Sequence, residues 1–192
     1  MAYAEWVDDA TFHSSMTTYS GHRFSPTADP PDVAKIEIED IAHGLSLLCR
    51  GSGQLRYFYS VGLHCLNCEA EAEARGYSRR IQLACLLHDA SEAYLSDVIT
   101  PVKDHLPDYL RLEERLQTAI YVKYLGSPLT DSEFALIDDI DKAMLGPELS
   151  LRALSAPPYR SGRVLHSTPE LELLPFTEVE ARYLHKFQEL MG

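Results

Sequence analysis

IQLACLLHDASEAYL at residues 81–95 decides the reading of this chain. Apolar side chains run nearly all the way round its first half, the pattern of a helix buried on every side. Into that setting the sequence puts His88 and Asp89, with Leu86 and Leu87 before them and Ala90 after. A carboxylate among apolar neighbours is costly unless it is paired or holds a cation. Glu92 follows His88 at i+4, on the same face of the expected helix. Three acid–base groups then share one buried segment.

The flanking segments add to this cluster. A helix expected over residues 56–75, stopped at Gly76, carries His64 in an apolar turn. Two antiparallel helices joined by a short loop bring His64 and His88 to one level. Downstream, LIDDIDKAML at 136–145 turns one or more of Asp138, Asp139 and Asp141 toward the core. Two imidazoles and two carboxylates suit a first-row divalent metal with positions left open for water and substrate. The plain alternative is a set of satisfied core histidines and solvated aspartates, which is the ordinary reading of His64 taken alone.

The remaining pattern is helical. A helix over 38–49 aligns Ile41, Leu45, Leu48 and Cys49 on one stripe and ends at the glycines of GSG, 51–53. The connection SDVITPVK, 96–103, precedes a helix over 109–125, with Asp108 as its N-cap and Gly126 as its stop. Pro101 and Pro107 interrupt helix there. Thr130 with Glu133 forms a capping-box pattern that opens a helix to about 153. Thr177 with Glu180 repeats it before a last helix to about 190. Residues 155–175 are proline-rich and irregular, and read as a lid or a crossover. Residues 1–30 read as an N-terminal arm, and 31–192 as a single domain. About six helices joined by short loops make an all-α bundle.

Bulk properties narrow the partners. A formal charge of −12 argues against a nucleic-acid polymer, which needs a basic surface. One phosphate is a different matter, because a metal ion and one or two basic residues can hold it on an acidic protein. No window approaches the roughly 18 apolar residues of a spanning helix, so no membrane is expected. MAYAEWVDDATF at the start has no basic stretch followed by an apolar run, so no secretion signal is expected either. Cys49, Cys65, Cys68 and Cys85 are then reduced thiols of a cytoplasmic protein. Cys65 and Cys68 form C-x-x-C, but no second pair lies nearby, and packing between helices is the preferred reading over a zinc or redox site.

The stretch HDASEAYLSDVITPVK at 88–103 resembles the HD superfamily of metal-dependent phosphohydrolases. It is most similar to the 5′-deoxynucleotidase branch and to small phage and prophage phosphohydrolases. There the His-Asp pair is followed by a Glu, an Asp and Thr-Pro-x-Lys. FYSVGLH at 58–64 resembles the segment leading to the first ligand His, and IDKAMLGPE at 140–148 the last ligand segment. The resemblance runs from about residue 38 to about 152.

This resemblance implies an HD-domain-like bundle holding one divalent ion (Mn, Co, Zn, Fe, Ni or Mg) on His64, His88, Asp89 and Asp141. It selects Asp141 over its neighbours. Glu92 and Asp97 would be catalytic, and Arg50 and Lys103 would bind phosphate. A solvated surface position is the plain reading of Lys103. The implied reaction cleaves a phosphate ester of a nucleotide, a (deoxy)nucleoside 5′-monophosphate or a dNTP, and the implied assembly is a homodimer. One departure matters: Gly51 follows Arg50 where the deoxynucleotidase branch has a bulky Trp that helps select deoxyribose. The sugar preference is therefore not carried over. Two other classes stay open, a non-catalytic metal or nucleotide-binding module on the same fold and a purely structural bundle. The first leaves Glu92 and Asp97 without a task, and the second leaves the buried charge unexplained.

Overall fold

The structure is a computed structural model and describes residues 9–152 and 162–192. Among the described residues it is all-helical apart from one small hairpin. Helix α1 (Asp9–Ser14) is followed by strands β1 (Met16–Thr17) and β2 (Arg23–Phe24), paired antiparallel with Met16 opposite Phe24. Then come α2 (Ile38–Leu47), α3 (Val61–Ala74), α4 (Arg79–Leu86), α5 (Glu92–Leu95), α6 (Thr100–Lys103), α7 (Pro107–Leu125), α8 (Asp131–Leu149) and α9 (Phe176–Met191).

Helices α3 and α4 form the central hairpin, and α2, α8 and α9 pack around it. Both start at serine caps, with the Ser60 hydroxyl accepting from Leu63 N–H and the Ser78 hydroxyl from Ile81 N–H. Ile41, Leu45, Val61, Leu86, Leu116, Ile140 and Tyr183 are wholly buried between them. Gly62 lets α3 close on α2. A Cβ there would stand 3.2 Å from the Leu45 carbonyl carbon and the Ser46 nitrogen.

The long helix expected through residue 95 is broken. Helix α4 stops at Leu86, and residues 87–91 form tight turns before α5. The reason is competition for backbone groups. The Cys85 carbonyl accepts from His88 Nδ1 at 2.8 Å, and the Leu87 carbonyl accepts from Gln117 Nε2 at 2.7 Å. Gln117 Oε1 in turn accepts from Ser91 N–H at 3.0 Å. One amide on α7 thus clamps both sides of the His88-Asp89 turn. The helix expected from 56 begins at Val61, because 48–50 and 59–61 pair instead. Arg50 N–H donates to the Tyr59 carbonyl and Val61 N–H to the Leu48 carbonyl, both at 2.9 Å.

Several caps differ from their sequence reading. The Thr130–Glu133 capping box forms as expected. Asp108 is not an N-cap: Leu106 holds that position, and Pro107 opens α7. Pro101 likewise lies in the first turn of α6, so both prolines start helices, where a missing N–H costs nothing. Pro175, not Thr177, caps α9. Residues 155–161 of the expected irregular segment lie outside the described residues. The part from 166 to 171 runs along α3 as a crossover. Glu71 accepts from His166 N–H, Ser167 N–H and the Ser167 hydroxyl, while Asn67 bonds both backbone groups of Glu170.

Glu69 on α3 supplies a test of this packing. Its side chain is 2% exposed, Oε1 has no hydrogen-bond partner among the described residues, and Lys186 Nζ stands 3.8 Å from Oε2. Burial pushes its carboxyl up to about 7, with Lys186 opposing. Between the ordinary glutamate value of about 4.3 and 7, the folded chain holds the proton that the unfolded chain has lost. Stability from this group therefore falls as pH rises through that window. Glu69→Gln is expected to remove about 1–2 kcal/mol of the loss between pH 5 and pH 8. Urea unfolding at the two pH values checks it, and an unchanged difference would refute it.

Candidate metal centre and its cleft

His64 projects from the first turns of α3 and is fully buried. Its Nδ1 lies 2.6 Å from Glu148 Oε1. His88 sits in the turn after α4, with Nδ1 bonded to the Cys85 carbonyl. An acceptor at each Nδ1 places a proton there and turns both Nε2 atoms inward. The two Nε2 atoms face each other at 3.1 Å.

Carboxylate oxygens complete the cluster. Asp89 Oδ2 is 3.6 Å from His64 Nε2 and 3.3 Å from His88 Nε2. Asp141 Oδ1, from α8, is 3.1 Å and 3.9 Å from the same two atoms. Ligands each about 2.0–2.2 Å from one ion stand roughly 3–3.6 Å apart, a range that four of these separations meet, while His88 to Asp141 is longer at 3.9 Å. Both Nε2 atoms and both carboxylates thus meet in one place. The His, Cys and Asp residues gathered here could hold a metal ion.

The electrostatics favour positive charge here. Burial works against an ionised Asp141, yet His64, His88 and Arg50 hold its carboxyl well below the usual range. Burial and Arg50 also work against a proton on His64, but Cys68, Glu148 and Asp141 together raise its pKa well above the ordinary imidazole value.

Cys68 and Cys65 reach this neighbourhood, since His64, Cys68, His88 and Asp141 offer donor atoms within 4.8 Å of one another, as do Cys65, His88 and Asp89. Cys68 Sγ is 3.6 Å from His64 Nε2 and 3.9 Å from Nδ1. Being nearly equidistant from the two nitrogens, it lies beside the ring and out of line with the Nε2 lone pair. Both thiols are free and buried, so the C-x-x-C packs under the cluster.

Arg50 reaches the same carboxylates from the 49–60 loop. Its Nε donates to Glu148 Oε2 at 2.9 Å, Nη2 to Asp141 Oδ1 at 3.2 Å and Nη1 approaches Asp89 Oδ2 at 3.5 Å. Burial alone would lower its pKa, but Glu148, Asp89 and Asp141 outweigh that and keep it a cation. Asp97, expected at the reacting centre, spends Oδ2 on Gly51 N–H at 2.9 Å. In this structure it steadies the turn that carries Arg50.

Glu92, at the start of α5, is 5% exposed, and its Oε2 has no hydrogen-bond partner among the described residues. Burial pushes its carboxyl well above the usual range. Asp89 and Asp97 push the same way, and Lys103 and Arg50 offset only part. Lys103 Nζ stands 3.4 Å from Glu92 Oε1 and 2.7 Å from Glu113 Oε1. It is a half-buried, paired lysine, not a solvated surface one.

Glu148 was not singled out in the sequence. One oxygen takes His64 Nδ1 and the Tyr59 hydroxyl, and the other takes Arg50 Nε. Burial raises its pKa, but His64 and Arg50 prevail and keep the carboxylate ionised. The available signal was its place seven residues, two helical turns, beyond Asp141 on α8. Tyr59 is core and serves this contact, and Tyr94 is core as well. His43 lies elsewhere, stacked on Tyr19 and bonded to Glu180.

A cleft of about 570 Å³ opens beside the cluster, between α7 and α8. His88, Asp89 and Asp141 lie in its wall together with Lys103. No helix among the described residues is long and apolar enough to cross a membrane.

No family model matches the sequence. The uncharacterized protein YfdR of Escherichia coli is 32% identical over 179 residues, which cover 92% of this chain and 96% of that one. An uncharacterized protein of Rhodobacter capsulatus is 46% identical over 100 residues, 49% of this chain and 50% of its own.

Proposed function

The chain belongs to the family of Escherichia coli YfdR, and from its ligand cluster and cleft we propose that the protein is an HD-type metal-dependent phosphohydrolase acting on a nucleotide, most simply a nucleoside 5′-monophosphate. The observation that carries this reading is the pair of inward Nε2 atoms 3.1 Å apart, closed by Asp89 and Asp141. His64, His88, Asp89 and Asp141 would hold one divalent ion. When bound, that ion supplies Lewis-acid polarisation of the phosphate and lowers the pKa of its water.

The chain's own residues do the rest. Arg50 lies over both ligand carboxylates, where its Nη1 and Nη2 atoms can donate to a phosphate oxygen entering the cluster. Glu148 holds Nε and so orients that fork. Lys103 adds a second positive charge in the cleft wall. Glu92, buried and short of one partner, exchanges a proton with the attacking water and the leaving oxygen. A new oxygen–phosphorus bond forms from water, the ester bond breaks, and nucleoside and phosphate leave.

Phosphate release over a panel of nucleotides, with the protein loaded in turn with Mn, Co, Zn or Mg, tests the reading. At least one pairing is expected to turn over, and loaded protein that binds nucleotide without releasing phosphate would reduce it to a binding module. Arg50→Ala is expected to raise KM on the order of 10- to 100-fold, the worth of a charge-assisted hydrogen bond, while metal content holds. Unchanged kinetics in that variant would remove Arg50 from the site.

A further inference from the structure

We propose that the cleft end near the α7–α8 connection is a subsite for a planar heterocycle with an exocyclic amino group, stacked on Phe134 and held at its amino group by Asp131. The inference rests on the phosphohydrolase reading for which end the phosphate occupies.

Asp131, Phe134, Asp138 and Asp141 all line the cleft from α8. Their spacing of three, four and three residues puts them on one helical face. Asp141 belongs to the ligand cluster, and Phe134 lies seven residues before it, about 10 Å along the axis. A phosphorylated pentose spans such a gap and delivers an attached ring to the phenyl group. Phe134 is 62% exposed, and Tyr121, Pro128 and Leu129 line the same cleft. The phenyl group is thus available at the cleft.

Charge separates the two ends. Among the described residues, Lys103 is the single lysine in the cleft wall, and the wall holds no arginine. Asp138 is tied to Lys142 at 2.6 Å. The Asp131 side chain makes no hydrogen bond or ion pair with any described residue and sits one turn from Phe134 on the same face. A free carboxylate with no cation repels a phosphate and accepts from an N–H donor. A flat ring bearing an amino group satisfies the carboxylate and the phenyl face together.

The test compares kcat/KM for the 5′-monophosphates of deoxyadenosine, deoxyguanosine, deoxycytidine and thymidine, and for ribose 5-phosphate, which has no ring. The three amino-bearing nucleotides are expected to exceed thymidine by about tenfold, the worth of one hydrogen bond to a charged group. Asp131→Ala should bring that ratio close to one. Phe134→Ala should cut the advantage of deoxyadenosine 5′-monophosphate over ribose 5-phosphate by roughly 5- to 100-fold, as loss of a base–aromatic stack does. Equal rates for thymidine overturn the role of Asp131, and an unchanged ratio in Phe134→Ala overturns the stack. Should no phosphate ester turn over, the phosphohydrolase reading fails, and calorimetric titration of the same nucleotides still decides the subsite. Binding weakened by Phe134→Ala supports it, and equal binding by wild type and variant refutes it.

Discussion

Glu92→Gln is expected to fold, bind metal and bind nucleotide, yet turn over on the order of 10²–10⁴-fold more slowly, the usual worth of a general acid or base. The glutamine keeps the size and the contact with Lys103 but cannot exchange a proton. The geometry makes this a clean substitution. Glu92 is 5% exposed, and its Oε2 has no partner among the described residues to be broken. Its pKa is raised by burial first and by Asp89 and Asp97 next, so the carboxyl holds a proton more readily than an exposed glutamate does. Single-turnover phosphate release, with metal content and nucleotide affinity measured on the same preparation, separates lost chemistry from lost binding. Near-normal turnover would transfer the proton role to another group. Asp97 would be a poor substitute in the observed geometry, since one of its oxygens already holds Gly51 N–H.

Metal content should respond in two grades. Asp89→Ala removes one of the four proposed donors and leaves the inward Nε2 pair with Asp141 alone, so elemental analysis should find the ion lost. Glu148→Gln touches no donor atom, yet metal affinity is expected to fall about 10- to 100-fold, the usual effect of losing the group behind a ligating histidine. The reason is tautomeric. Glu148 Oε1 accepts from His64 Nδ1, which leaves the Nε2 lone pair free. An amide nitrogen facing Nδ1 would donate to it and move the ring proton to Nε2, the ligand atom. If the amide turns its oxygen to His64 instead, its nitrogen meets Arg50 Nε, donor against donor. Either arrangement disturbs one half of the site. Competition with a chelating dye gives the affinity, and a value within twofold of wild type would show that Glu148 is only packing.

The sequence by itself determined the all-helical fold, because the spacing of apolar residues in IQLACLL, LIDDIDKAML and their neighbours is a local property of the chain. It also marked His88 and Asp89, because a charge set among Leu86, Leu87 and Ala90 needs a partner wherever those residues are buried, while the choice of Asp141 over Asp138 and Asp139 came from the resemblance to the HD superfamily. The helix start at Thr130 belongs to the same class, since a cap and its N–H lie within three residues. Tertiary structure alone decided the rest. The break after Leu86 depends on Gln117, thirty residues from the Leu87 carbonyl it binds. The position of Arg50 depends on its backbone pairing with Tyr59 and on Glu148, which lies 98 residues away. Glu148 reads in sequence as one more acid near a helix end. Its role appears only when α8 brings it against His64 in a core where water cannot supply the bond, so the chain must.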